Sequence, residues 1–189
     1  MPFDRDQYTI RRKVLQIFGA SFHVYDPDGG LLGFSRQKAF KLREDIRVYA
    51  DETQQREVLS IRARQVIDWS AAYDVVDSAE GRKVGAARRK GWSSVVRDSW
   101  ELLDADDRPV AKLQEDSTML ALLRRFLSNL IPQTYHLRGN DGKDLAELRV
   151  RFNPFVYKLD VTVRADAAID RRLVLGVGVL LAAIEGRQQ

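Results

Sequence analysis

The sequence predicts a mainly β fold: an antiparallel barrel of about twelve strands closed around one buried C-terminal helix. Three observations predict it. A hairpin pattern recurs along the chain, a ten-residue stretch alternates with period two, and an apolar run near the C-terminus is too short to span a membrane. The hairpin pattern reads aromatic, short strand, Asp/Gly turn, apolar residue, small residue. It starts at Phe22, Tyr73, Trp100 and Tyr135 and reaches Gly33, Gly85, Ala111 and Ala146, at spacings of 11, 12, 11 and 11. Gly supplies positive φ in such turns, and Asp bonds the turn backbone. A looser copy runs from Ile46–Ala50 through a polar turn to Val58–Ile61.

The remaining strands follow from alternation. Phe155, Tyr157, Leu159, Val161 and Val163 alternate with Val156, Lys158, Asp160, Thr162 and Arg164, one face buried and one wet. Leu59, Ile61 and Ala63 alternate with Ser60, Arg62 and Arg64 in the same way, and Tyr8–Leu15 adds a first strand. So many short strands need closure to hide their edges. Two segments have helical period instead. In 118–131, Met119, Leu122, Leu123, Phe126, Leu127 and Leu130 line one face, Arg124 and Arg125 fall on the other, and Pro132 ends it. This predicts an amphipathic helix against a barrel opening. Segment 171–186 is apolar on nearly every side, so it must be surrounded. Its small residues Gly178, Ala182 and Gly186 predict close approach of strands to the helix.

The apolar run itself, Leu173 to Ile184, is twelve residues. A spanning helix needs roughly 20, whereas about 18 Å of helix suits a barrel interior. The 189 residues are expected to form a single domain over 1–189, with a core of about 8–186.

The opening Tyr8-Thr-Ile-Arg-Arg-Lys-Val-Leu15, the hairpin Phe22-His-Val-Tyr-Asp-Pro-Asp-Gly29, the strand Tyr157-Lys-Leu-Asp-Val-Thr-Val163 and the helix beginning Asp170-Arg-Arg-Leu-Val-Leu175 resemble the LURP-one-related and phospholipid-scramblase-like families. The resemblance covers most of the chain. It implies the tubby C-terminal-like fold, a twelve-stranded barrel around a central hydrophobic helix. Tubby-like members bind phosphoinositide headgroups through basic wall residues, which implies lipid binding as a function class. Scramblase-like members also carry a Pro-rich N-terminal tail, a cysteine cluster and a calcium segment. This chain has no such tail, no cysteine and no D-x-[DN]-x-[DN]-G loop, so calcium-driven scrambling is not expected.

Composition narrows the chemistry. With no cysteine there is no thiol nucleophile, disulfide or Cys-ligated metal. The two histidines, His23 and His136, hold equivalent places in two repeats and have no third ligand at metal spacing, so neither a metal nor another cofactor is expected. Gly29-Gly30-Leu-Leu-Gly33 lacks the following helix of a dinucleotide site, and no hydrolase or Walker motif is present. The expected class is therefore non-enzymatic. Turn chemistry accounts for the many hairpin aspartates.

The densest basic run is Arg82, Lys83, Arg88, Arg89, Lys90 and Arg97, with Trp92 inside it and no acid from 82 to 97. Such a stretch attracts an anionic membrane surface. Basic pairs two apart also recur: Arg36/Lys38, Arg62/Arg64, Arg88/Lys90 and Arg149/Arg151. Alternation turns 62/64 and 149/151 outward. For 36/38 and 88/90 it places the pair with Leu32, Phe34 and Val84, so those strands must bulge or bend. The candidate ligand residues are Arg82, Lys83, Arg88, Arg89, Lys90 and Trp92, with Arg62 and Arg64 second. The expected partner is an anionic phospholipid or phosphoinositide-like headgroup at a membrane surface. The alternative is a structural or protein-interaction domain without a small-molecule ligand. Net charge is only +4 and aromatic interleaving is limited to Trp92, which disfavours nucleic acid. Residues 1–13 are charged without an apolar core, so a cytoplasmic location, peripheral at a membrane, is expected.

Overall fold

The computed structural model describes residues 3–13, 20–37, 45–64, 72–89, 99–115, 133–151 and 156–185. Among these residues twelve strands are present: β1 (Gln7–Lys13), β2 (Ala20–Tyr25), β3 (Leu31–Gln37), β4 (Asp45–Tyr49), β5 (Glu57–Ala63) and β6 (Ala72–Asp77). The second half supplies β7 (Arg82–Arg89), β8 (Ser99–Leu103), β9 (Pro109–Glu115), β10 (Thr134–Gly139), β11 (Asp144–Arg151) and β12 (Val156–Val163). Helix α1 (Arg171–Glu185) follows. Each strand is antiparallel to its neighbours in chain order, and β1 pairs with β12 to close the barrel. Closure removes the edges that an open sheet of such strands would expose. The expected 118–131 helix lies outside the described residues.

The repeated sequence pattern is a hairpin with a bulge at a fixed place. In the β2–β3 pair, Val24 faces Gly33 but Tyr25 faces Leu31, so Leu32 is the extra residue. The same shift leaves out Val58 in β5, Val84 in β7, Val110 in β9 and Leu145 in β11. The extra residue is apolar every time, and the next one is the Gly, Leu or Ala that turns inward. A bulge adds one residue and raises the local twist, which curves a sheet toward closure. It also settles the parity conflict. Past Leu32 and Val84 the phase is reset, so Arg36 and Arg88 leave the core face; Lys38 and Lys90 lie outside the described residues.

The tight turns gather at one rim. Asp26 Oδ1 accepts the Gly30 N–H at 2.7 Å, and Asp104 Oδ1 accepts the Asp106 and Arg108 N–H groups at 2.9 Å each. Gly29 has φ +87°, where a side chain would be strained. These aspartates serve their turns, as their sequence positions predict.

The chain enters α1 from this same rim. The helix is buried from Leu173 to Ala183 and packs against β1, β5, β6, β7 and β12. A Cβ on Gly176 would lie 2.9 Å from Val75 Cγ1, and one on Gly178 would lie 2.9 Å from Ile10 Cδ1 and 3.2 Å from Val161 Cγ2. The strands therefore approach the helix at 176 and 178. Ala182 is fully buried, and Gly186 lies outside the described residues.

Candidate functional site

The helix fills the barrel, so a ligand must engage the rim or the outer wall. The rim where α1 begins is held by two arginines. Arg172 pairs with Asp77 at 2.6 Å and with Asp170 at 2.7 Å, and lies 3.7 Å from Glu80. Arg171 pairs with Asp6 at 3.1 Å and donates to the carbonyls of Ala167 at 2.8 Å and Ile169 at 3.1 Å. Burial raises the Asp77 carboxyl, but the Glu80 and Ala79 N–H groups and the Arg172 guanidinium outweigh it and hold Asp77 below the usual carboxylate range. These pairs make the rim a clasp between helix and barrel.

The wall from β5 to β8 carries the bases singled out in the sequence. The structure brings Arg62, Arg64, Lys83 and Arg88 to the outer side, and Arg64, Lys83 and Arg88 each pair with acids from a neighbouring strand or turn. Arg64 pairs with Asp74 at 2.6 Å and also with Asp107; Lys83 pairs with Asp107 at 2.6 Å. These bonds from Arg64 and Lys83 hold the Asp107 carboxyl below its ordinary range. Arg88 pairs with the buried Glu101, and Arg82 with Glu80 at 2.8 Å. Arg62 lies directly between Asp45 and Asp74 in register. Arg89 is also engaged. The stretch that lacks acids along the chain acquires them across the sheet. Lys90 and Trp92 lie outside the described residues.

The opposite wall differs. Arg11 on β1 faces Lys158 on β12, and Lys158 faces Arg151 on β11, so three cations stand side by side across three adjacent strands. Arg149 lies two residues along β11 from Arg151 and faces Asp160. Asp160 is taken by Arg151 at 2.7 Å and by the Thr9 hydroxyl at 2.9 Å. The Arg11 guanidinium lies 4.6 Å from the centre of the Tyr25 ring. Among the described residues, neither Arg11, Lys158 nor Arg149 has a carboxylate within ion-pair distance. Alternation turns Arg149, Arg151 and Lys158 outward, but nothing in the sequence sets Arg11 beside Lys158. Their juxtaposition depends on the closing β1–β12 register.

The two histidines face outward, opposite in direction to the buried Phe22 and Tyr135. His23 bonds Glu52 at 2.8 Å. Among the described residues no cluster of three or more His, Asp and Glu side chains could hold a metal ion, and no helix is long and apolar enough to cross a membrane.

A closed antiparallel barrel plugged by its own C-terminal helix, with its charge chemistry on the outside, defines a class of helix-filled β-barrel domains. Within that class the chain belongs to the LURP-one-related family, whose model matches residues 31–182. An Arabidopsis thaliana protein solved by X-ray crystallography has the same fold, with a TM-score of 0.54 at 12% identity over 98% of this chain and 96% of that one. No curated protein matches the chain.

Proposed function

We propose that the barrel is a non-enzymatic binding module for anionic phospholipid headgroups, acting at the periphery of a membrane. One observation carries this reading: on the β11–β12–β1 wall, Arg11, Lys158, Arg149 and Arg151 surround a single acid, Asp160. The filled interior supports a surface function. Each base near an anionic leaflet contributes about 1 kcal/mol, so four bases set against Asp160 and the outward Glu147 supply about 2 kcal/mol net, a weak and salt-sensitive attraction. Anionic lipid is concentrated on cytoplasmic leaflets, which fits a cytoplasmic protein.

The reading is tested by co-sedimentation with phosphatidylcholine vesicles, with and without phosphatidylserine, at two salt concentrations. Retention on anionic vesicles that falls as salt rises is expected. Equal retention on both vesicle types at low salt would defeat it and leave a protein-interaction domain in its place. The sequence-selected wall, Arg62, Arg64, Arg82, Lys83, Arg88, Arg89, Lys90 and Trp92, is the second candidate surface. An anion at Arg64, Lys83, Arg82 or Arg88 competes with Asp74, Asp107, Glu80 or Glu101. The Arg88→Glu, Lys90→Glu pair is therefore expected to weaken binding less than the Arg11→Glu, Lys158→Glu pair.

A further inference from the structure

We infer that the Arg11–Lys158–Arg151 row is a discrete site for a phosphomonoester, with Lys158 as its central contact. The inference rests on the anionic-headgroup reading and narrows it from negative charge in general to one phosphate class.

Three features of the row support this. First, Arg11 lies directly opposite Lys158, and Lys158 directly opposite Arg151. Like charges at directly opposed positions destabilise a sheet. On the β5–β8 wall such a base has carboxylates beside it, as Arg62 has Asp45 and Asp74 in register. Here Lys158 has none among the described residues. Asp160 relieves Arg151, so the repulsion left in the row is that between Arg11 and Lys158, and a bound anion removes it.

Second, the two flanking guanidiniums are already held. Arg11 stacks on Tyr25, and Arg151 is fixed by Asp160. Ordering long side chains opposes binding, and these two are ordered beforehand. Lys158 stands between them as a compact point charge.

Third, the spacing suits the ligand. Neighbouring strands lie about 4.8 Å apart, so the row spans about 10 Å with Lys158 at its middle. A phosphomonoester presents three terminal oxygens and a charge of about −1.5 to −2. Guanidinium forks take oxygens in pairs, and an ammonium takes one as a point charge. A phosphodiester, with one charge and two free oxygens, satisfies less of the row. A shallow groove of about 260 Å³, lined by Thr9, Pro27, Arg151, Asp160 and Thr162 among others, opens beside it.

The ligand chemistry occurs on a lipid, as in phosphatidic acid, and on soluble phosphate esters. Vesicles of phosphatidylcholine with phosphatidic acid are compared with phosphatidylserine vesicles matched in surface charge. Stronger retention on phosphatidic acid is expected. Equal retention overturns the phosphomonoester site while leaving the anionic-surface reading intact, whereas no retention on either defeats that reading itself. Added glycerol 3-phosphate separates the sources: displacement means that the free phosphate ester suffices, and retention means that the bilayer is required.

Lys158→Glu then tests the residue. It should reduce phosphatidic acid binding at least about tenfold. It should also raise the melting temperature, because the new carboxylate pairs with Arg11, which faces it directly. Arg56→Glu, on a distant turn, makes the same charge change and should keep binding within about twofold. Unchanged binding in Lys158→Glu, or a loss equalled by Arg56→Glu, overturns the site. So does a fall in melting temperature in the Lys158 variant, because it denies the repulsion on which the site is argued.

Discussion

Gly178→Leu is expected to destabilise the fold by at least about 1–3 kcal/mol, read as a lower urea midpoint with an unchanged m-value. The first atom of any side chain at 178 would already sit 2.9 Å from Ile10 Cδ1 and 3.2 Å from Val161 Cγ2. Leucine adds three more carbons to a helix enclosed on all sides. The alanine variants calibrate the result. Gly→Ala gains up to about 1 kcal/mol of helix propensity, so the sign depends on whether the neighbour gives way. At 178 that neighbour is the flexible end of an isoleucine. At 176 it is Val75, whose two methyl carbons would lie 2.9 and 3.0 Å away on a stiff β-branched side chain. Gly176→Ala should therefore be the less stable alanine variant. A leucine at 178 that left the midpoint unchanged would mean that the helix is not enclosed as described.

Asp77→Ala is expected to cost about 3 kcal/mol, the lower end for breaking a buried pair, because Arg172 retains Asp170 and nearby Glu80. The same contact fixes a pH dependence. Asp77 titrates below its ordinary range in the folded protein, so the folded state favours its charged form. Its contribution is complete above the unfolded value of about 3.9 and disappears as pH falls through the lowered folded value. The melting temperature should drop on acidification below about pH 4. Asp77→Asn should make that drop shallower, and not abolish it, because burial raises Asp170 while the Arg172 side chain and N–H outweigh that and hold it low as well. An acid limb as steep in Asp77→Asn as in the wild type would remove Asp77 from the clasp.

The fold was legible because its signals are local. A hairpin, its turn and its bulge fit within about a dozen residues, and the apolar helix is one uninterrupted run. Even the bulges left a trace: alternation placed Arg88 with the core residue Val84, and one extra residue at Val84 resolves the conflict. The candidate site was less legible because ion pairing on a sheet runs across strands. Residues 82–97 contain no acid, yet Lys83 finds Asp107 and Arg88 finds Glu101. Conversely, Arg11 and Lys158 sit far apart in the sequence. They meet only because β1 closes against β12, and neither segment announces that pairing.

That closing seam also bears on how the polypeptide reaches its native state. Eleven of the twelve strand pairings join consecutive strands. The twelfth brings Gln7 to Thr162, across about 155 residues. By loop entropy alone, this contact costs about 3 kcal/mol more to form than a short hairpin. Every strand is also synthesised before the helix that fills the barrel. A nascent chain therefore accumulates hairpins as a curved, unclosed sheet whose greasy inner side has nothing to lie against. Its two unpaired borders, β1 and β12, are the last to be hidden. Closure is expected to wait for α1, and aggregation during biogenesis should begin at that seam.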